Sequence, residues 1–258
     1  MTLPVLALSQ THLTLLETCP RRFQYLFDQA LAVPINPEGQ AAARWGDQFH
    51  LIMQQQALGL SINRLSTADA EMAAKVNALK EKAPHLFQPS SDETLRQSEH
   101  QRVLAVNGYL FTVIYDLLLL RLTKGLIVDW KTFLKPPPKQ QLMNDWQTRL
   151  YLYVLAETTD LPAEQLTMVY WFVRNRDREG NDLPPSEYRF PYSLQQHERT
   201  RADLVRLTEL LSSLRCAPEF PKTDDRNCCT RCPFQMRCQR VEQPELPIDL
   251  DIIEEVSL

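Results

Sequence analysis

Apolar residues recur at three- and four-residue steps through much of the chain, a period typical of amphipathic helices. Five stretches carry this period: 9–27, 41–58, 67–82, 141–157 and 193–214. Ser9 is a favourable residue for starting the first helix, and Pro20 predicts a kink or a division inside it. The stretches 34–39 and 84–92 contain prolines and are predicted to be loops.

The middle of the chain changes to apolar runs rich in β-branched and aromatic residues, which predict strands. These runs are 99–106, 109–120, 125–131, 166–173 and 188–192. Asn107-Gly108 separates the first two runs and is a strong signal for a two-residue hairpin turn. The order of helices, three strands, helix, strand and helix predicts an α/β fold with a mixed central sheet flanked by helices.

Composition is that of a soluble globular protein, with 44% hydrophobic and 23% charged residues in 258. No apolar run reaches the roughly 18 residues that a membrane span needs, and 1–8 lacks the features of a signal peptide. We therefore expect a cytoplasmic protein with no membrane partner. The net charge of −4 argues against general coating of nucleic acid but leaves room for a local basic groove.

The strongest chemical signal lies at the end of the third predicted strand. Leu126, Ile127 and Val128 are followed by Asp129, one spacer residue and Lys131. Residues two apart in a strand share a face, so a carboxylate and an ammonium group lie side by side at the edge of a core. Taken alone, this pattern fits a surface ion pair and an active site equally well.

Asp116 interrupts the second apolar strand, where a carboxylate needs a cation or a hydrogen-bonding partner. Neighbouring strands can bring Asp116 and Asp129 together, and such a pair of acids repel unless a divalent ion lies between them. Lys131 on that face can position water and stabilise charge on a phosphate. The alternative is an Asp116 that is satisfied within the core.

Two further positions carry polar groups beside apolar helix stripes. Gln147 and Tyr151 are four residues apart and share a helix face, and His50 lies beside the stripe of an earlier helix. Individually, each is more often a polar margin or a core residue than part of a functional site.

Together, Gly46-x-x-x-His50, Asp116, Asp129-Trp130-Lys131-Thr132 and Gln147-x-x-x-Tyr151 resemble the nuclease domain of the RecB-type PD-(D/E)xK superfamily. The resemblance spans about 9–240 and implies a restriction-endonuclease-like core. It implies Mg²⁺ or Mn²⁺ held by His50, Asp116, Asp129 and the backbone carbonyl of Trp130. It further implies that Lys131 activates water, and that Gln147 and Tyr151 support the site and the DNA. Glu99 is expected at the start of the first strand, outside the ligand set.

The cysteines bunch near the end of the chain as Cys229-x₂-Cys232-x₅-Cys238. In a cytoplasmic protein this spacing allows zinc or an iron–sulfur cluster equally. It is similar to the pattern of an iron–sulfur branch of the superfamily, which includes CRISPR-associated RecB-like exonucleases and the AddB nuclease domain. That resemblance implies a [4Fe-4S] cluster with Cys19 as the fourth ligand, clasping the two ends of the domain. Cys216 and Cys228 are then spare thiols.

Several basic residues fall in segments that can rim the predicted strand ends and contact phosphates. These are Arg21, Arg22, Lys135, Lys139 and Arg174, with Arg176 and Arg178 in the loop that follows. Each of them can equally be a solvated surface charge. The expected partner is DNA, as a single strand or a duplex end, together with a protein such as a helicase or a CRISPR adaptation protein. The chain has no P-loop to drive unwinding itself.

We predict one nuclease domain over 1–240, followed by an acidic tail at 241–258. Within the domain, a helical part spans about 9–95, a catalytic core about 96–215, and a cysteine segment 216–240 together with Cys19. The leading hypothesis is a metal-dependent deoxyribonuclease that trims DNA ends. The alternatives are a non-catalytic DNA-binding or partner subunit and a zinc-clasped RNA-processing nuclease.

Overall fold

A computed structural model describes residues 7–33, 37–60 and 69–240 of the chain. The helices are α1 Gln10–Thr18, α2 Pro20–Phe23, α3 Pro37–Ala57, α4 Ala70–Lys82, α5 Lys139–Asn144, α6 Trp146–Glu157 and α7 Leu194–Leu214. The strands are β1 Ala7–Leu8, β2 Glu93–Val106, β3 Tyr109–Arg121, β4 Gly125–Lys131, β5 Leu166–Phe172 and β6 Ser186–Pro191. Among the described helices, none has the length and apolarity needed to cross a bilayer.

The six described strands form one mixed sheet, and the mixed sheet was predicted from five strand-like runs. Its order is β1-β3-β4-β5-β6, with β2 paired along the other edge of β3. β1 and β4 pair with the same edge of β3. β1 pairs at Leu110 and Phe111, and β4 pairs over residues 117–120. The described ladder on this edge is therefore interrupted between residues 111 and 117, and the functional residues gather at this interruption.

The sheet is covered on both faces, so two hydrophobic cores form. The first core packs β3–β6 against α1, α6 and α7 through residues such as Leu16, Leu150 and Leu204. The second packs the opposite face against α3 and α4 through residues such as Phe49, Ile52 and Val76. Ile127 belongs to the first core and Val128 to the second. This double burial explains why β4 reads as a continuous apolar run.

The helices differ from the predictions mainly at their ends. The second helix begins at Pro37 rather than 41, because proline is well suited to a first helical turn. The third begins at Ala70, where the Asp69 side chain accepts a hydrogen bond from the Met72 amide. Positions 34–36 of the predicted loop and 67–68 of the predicted helix lie outside the described residues, as does the predicted acidic tail.

The predicted helix 141–157 is two helices, and this prediction was wrong. Asp145 is extended, with ψ 143°, and separates α5 from α6. The buried Thr148 hydroxyl donates to the Leu142 carbonyl over 2.6 Å and satisfies a group at the break. Local side-chain bonding of this kind competes with a continuous helical ladder.

The first long strand begins at Glu93 instead of 99, so the predicted boundary near 95–96 falls inside β2. Residues 93–98 are mostly polar, which is typical of an edge strand with one exposed side. The two-residue strand β1 was not predicted. The hairpin was predicted correctly, because Asn107 and Gly108 both have positive φ values, 50° and 81°.

Hydrogen bonds hold the helix after Pro20 to the segment that follows α7. The Arg21 side chain donates to the Phe220 carbonyl over 2.6 Å and to the Glu219 carboxylate over 2.8 Å. Gln24 donates to the Pro218 carbonyl and accepts from the Phe220 amide. The two ends of the described chain are thus joined by hydrogen bonds as far as Pro221, and beyond it Tyr25 packs against Phe234.

Candidate active site

Asp116 takes the place of a backbone partner where β3 and β4 diverge. The last strand pair before the site is Leu117 with Val128, which puts Asp116 and Asp129 next in register. The Trp130 amide donates to Asp116 Oδ2 over 2.7 Å. The N–H and C=O of one residue in a strand point to the same edge, so the Trp130 carbonyl also faces Asp116.

The two hairpin strands β2 and β3 are both irregular at this point. Tyr115 and Leu118 bury in the first core, whereas Leu117 packs in the second, so the faces exchange at Asp116. On the paired strand, Glu99 has a positive φ of 49°, which is unusual for a residue with a side chain. Two acids therefore meet at a local distortion of a paired ribbon, a common device for aiming functional side chains.

His50 reaches the same place from α3. Its Nδ1 lies 3.3 Å from Asp116 Oδ2. One turn earlier, Gly46 lies so close to the end of β4 that an added Cβ would be 3.2 Å from the Thr132 hydroxyl. The absence of a side chain at Gly46 lets the helix approach the strand and delivers His50 to the acids.

His50, Glu99 and Asp116 each offer a ligand atom, and these atoms lie within 4.8 Å of one another. Together with Asp129 they form what we call the acidic site. Burial opposes protonation of His50, but the hydrogen bond and charge of Asp116 prevail and raise the pKa of His50 to about 9. Partial burial and the charge of Asp116 raise the pKa of Glu99.

The donor set of the acidic site fits a divalent cation. Oxygen and imidazole ligands suit Mg²⁺ and Mn²⁺. Asp129 is only 3% exposed, and its burial raises its pKa to about 6 despite the nearby Lys131. Its Oδ1 is buried with no hydrogen-bond partner, since the Lys131 ammonium is close but not aligned for one. Negative charge gathered in this way is stabilised by a cation.

Lys131 is held in a ring of three side chains that we call the lysine triad. Its Nζ lies 2.7 Å from Asp129 Oδ1 and donates to Gln147 Oε1 over 2.6 Å. Gln147 Nε2 in turn donates to Asp129 Oδ2 over 2.5 Å. The ring fixes the ammonium group beside the acidic site, over the face of Tyr170 at 4.6 Å.

Tyr151 lies one turn after Gln147 and is buried at the back of the site. Its ring meets Tyr115 edge to face at 5.5 Å, and its carbonyl accepts from the Tyr115 hydroxyl. Burial and the charge of Asp129 raise the pKa of Tyr151, so its hydroxyl stays neutral. Tyr151 therefore supplies packing and a neutral dipole.

The structure brings together all the residues predicted for the site, and it adds Glu99. Glu99 was expected at the start of a strand, outside the ligand set, but it lies in the middle of β2 among the possible ligands. The sequence alone could have placed Glu99 in the site. A two-residue turn at 107–108 pairs Val106 with Tyr109, and counting back along the hairpin puts Glu99 opposite Asp116.

The predicted DNA-contacting cations fall in different environments. Arg21 is buried and joined to Glu219, so its predicted place on a DNA surface was wrong. Arg174 pairs with Glu71 and lies over Trp45 at 4.3 Å. Arg176 pairs with Glu71 and Asp182, whereas Lys135, Lys139 and Arg178 are exposed. Arg22 lines a different cavity.

That cavity, which we call the thiol cavity, has a volume of about 270 Å³. It is lined by five free thiols, those of Cys19, Cys228, Cys229, Cys232 and Cys238. Three cations, Arg22, Lys222 and Arg240, line it as well and would balance the charge of thiolate ligands. Cys216 is exposed and does not line this cavity.

Comparison with known proteins gives one family match that covers most of the chain. Residues 7–239 match the PD-(D/E)XK nuclease superfamily. Members of this superfamily use divalent metals. The search of curated proteins gives no match.

Two solved structures align over most of the chain. A protein from Eubacterium rectale whose name proposes an exonuclease aligns with a TM-score of 0.52 and 10% identity, over 96% of this chain and 93% of its own. SSO0001 aligns with a TM-score of 0.41 and 18% identity, over 94% and 90% of the two chains. At such low identity, the likeness of the first structure concerns the fold alone.

The raised pKa of His50 predicts pH-dependent metal binding. A proton on Nδ1 competes with a metal ion, and below pH 9 the metal-free histidine is mostly protonated. The apparent affinity for Mn²⁺ is expected to rise by up to tenfold per pH unit between pH 7 and 9, measured by calorimetry. His50→Gln should weaken binding and flatten this dependence, while His85→Gln should leave both unchanged. A pH-independent affinity in the wild type would contradict the assignment of His50 as a ligand.

Proposed function

Because the chain belongs to the PD-(D/E)XK nuclease superfamily, we propose that it is a Mg²⁺- or Mn²⁺-dependent deoxyribonuclease that acts on single strands or DNA ends. The observation that carries this proposal is that His50, Glu99 and Asp116 lie together, while Lys131 is fixed against Asp129, the residue next in register to Asp116. A cation site and an ammonium group on neighbouring strands supply what hydrolysis of a phosphodiester requires.

His50, Glu99 and Asp116 would hold the divalent ion, with Asp129 and the Trp130 carbonyl facing the same space. When bound, such an ion neutralises phosphate charge and lowers the pKa of water. Asp116 also anchors the Trp130 amide, so it fixes the backbone of the strand as well as offering a ligand. The acids are already gathered and partly desolvated, so the protein itself sets the geometry.

Lys131 would position the attacking water and neutralise the charge that builds on the phosphate. Its two partners in the lysine triad limit the ammonium group to one position. Gln147 accepts from Lys131 and donates to Asp129, so a single amide orients both charged groups. Tyr151 supports this helix turn from behind and remains uncharged.

A non-catalytic DNA-binding subunit is the alternative. Retention of every member of the lysine triad weighs against it, because a binding protein gains nothing from a buried acid and a lysine held at one position. Lys135 and Lys139 are exposed and lie shortly after β4, so we propose that they contact the DNA backbone. The chain has no P-loop. A helicase or a CRISPR adaptation protein is therefore our proposed source of unpaired strands.

Removal of the ammonium group should abolish cleavage without abolishing binding. Lys131→Met is expected to lower Mn²⁺-dependent cleavage of a labelled single strand about a thousandfold, while anisotropy shows DNA binding within a few-fold of wild type. Asp129→Asn should lower cleavage similarly. Lys82→Met, on the exposed end of α4, is the matched control and should cleave at the wild-type rate. Cleavage by Lys131→Met at the wild-type rate would contradict the proposed mechanism.

We further propose that the thiol cavity holds a [4Fe-4S] cluster ligated by Cys19, Cys229, Cys232 and Cys238. The cavity volume of about 270 Å³ and the three lining cations favour a larger anionic cluster over a single zinc ion.

Such a cluster would act as a structural clasp. It would close a loop of about 220 residues, worth roughly 5 kcal/mol in the chain-entropy model. Hydrogen bonds from Arg21 and Gln24 hold the chain as far as Pro221. Beyond Pro221, Tyr25 packs against Phe234, and the cluster would add metal–thiolate bonds to this contact.

Cys232→Ser should give colourless protein that is cut by protease after Pro221 and melts at a lower temperature than wild type. Cys216→Ser is the matched control, since this thiol is exposed and outside the cavity, and it should remain coloured. Metal analysis of protein purified without oxygen should find iron. Zinc in its place would favour the alternative of a zinc-clasped nuclease, which acts on RNA. Colourless Cys232→Ser with unchanged melting and activity would refute the clasp.

A further inference from the structure

We propose that a second cavity, next to the acidic site, receives one unstacked nucleobase of a DNA strand. The proposal rests on the nuclease function proposed above and adds the class of substrate, a strand with an unpaired base next to the bond that is cut. The cavity has a volume of about 270 Å³ and lies between α3, β2 and the loop that precedes β2. We call it the base pocket.

The base pocket is built from the chain neighbours of the acidic site. Met53 lies one turn after His50, Ser98 precedes Glu99, Leu117 follows Asp116 and Trp130 follows Asp129, and all four neighbours line the cavity. Asp116 itself forms part of the wall. A group bound in the pocket therefore lies against Asp116, which His50 contacts from α3.

The wall chemistry fits a flat, polar-edged ring. Leu86, Phe87 and Trp130 supply an apolar and largely aromatic surface. Ser98 lines the cavity, and its Oγ is buried without a hydrogen-bond partner in the protein. A buried hydroxyl left without a partner costs free energy, and rotation about the Cα–Cβ bond of Ser98 would turn it toward a donor or acceptor on the edge of a ligand. An apolar pocket with few polar groups is the usual form of a ligand site.

The loop side of the pocket is held in place before any ligand arrives. Arg96 donates to the Leu86 carbonyl over 2.6 Å and to the Gln88 carbonyl over 3.1 Å. The same guanidinium binds both carboxylate oxygens of Glu93. A wall fixed in this way loses little entropy when a base enters.

A base in this pocket cannot remain stacked or paired in a duplex. Binding would therefore favour single strands and frayed ends, because a paired base must first be extracted at a cost of a few kcal/mol. A hydroxyl both donates and accepts, and every base has a flat face, so the pocket would accept all four bases. This gives preference for strand type without preference for sequence.

The test compares single-stranded octamers that each lack one base. Dissociation constants are measured by fluorescence anisotropy with Ca²⁺, which leaves the DNA intact. Wild type should lose about tenfold in affinity when the base at one position is missing, and much less at the others. Equal effects at every position would overturn the proposal.

Pocket variants then separate this effect from general DNA binding. Ala57→Phe puts a ring at the exposed rim of the pocket, and Ala43→Phe is the matched control on the same helix away from it. The tenfold loss should shrink below threefold in Ala57→Phe and persist in Ala43→Phe. Persistence in both variants would contradict a base pocket at this place.

Ser98→Ala provides a second variant that should fold normally, since the hydroxyl has no partner in the protein to lose. It should melt at the wild-type temperature and bind the complete octamer several-fold more weakly; unchanged affinity would remove Ser98 from the site and contradict the proposal. Cleavage of the complete octamer with Mn²⁺ is measured in parallel. Cleavage without a position-specific effect of base removal would overturn the base pocket alone, whereas absence of cleavage would overturn the nuclease function.

Discussion

The hydrogen bond from the Trp130 amide to the Asp116 carboxylate is the interaction on which the site depends. It stands where a backbone ladder between β3 and β4 would otherwise continue. Because a side chain takes over this bond, the Trp130 carbonyl is left facing the interrupted edge. Asp116 is meanwhile held toward β4, within reach of His50 from α3. One carboxylate thus links two strands and a helix.

The charges around this bond form two groups with different functions. In the lysine triad, Asp129 and Lys131 largely compensate each other, and Gln147 fixes their orientation. In the rest of the acidic site, the negative charges of Glu99 and Asp116 face His50 and keep it protonated near neutral pH. An incoming divalent ion would replace that proton. The fold therefore provides a fixed cation beside a site that is ready to exchange one cation for another.

Much of this arrangement could be predicted from local sequence, and the exceptions have physical causes. The doubly buried β4, the Asn107-Gly108 hairpin and the break at Pro20 follow from residue preferences. The break at Asp145 does not, because it depends on a hydroxyl of Thr148 bonding back to Leu142. Glu99 was undervalued because the polar start of β2 hides the strand, although the hairpin register places it opposite Asp116. The Arg21 side chain points inward because it donates to residues 219 and 220, about 200 positions away in the sequence.

Crystals soaked in Mn²⁺ and measured for anomalous scattering would test the central claim most directly. The account predicts one strong peak within about 2.5 Å of His50 Nδ1 and of carboxylate oxygens from Glu99 and Asp116. In crystals of Glu99→Gln the peak should weaken at the same Mn²⁺ concentration. Saturating Mn²⁺ with no peak among these three residues, or with a peak that contacts none of them, would contradict the account.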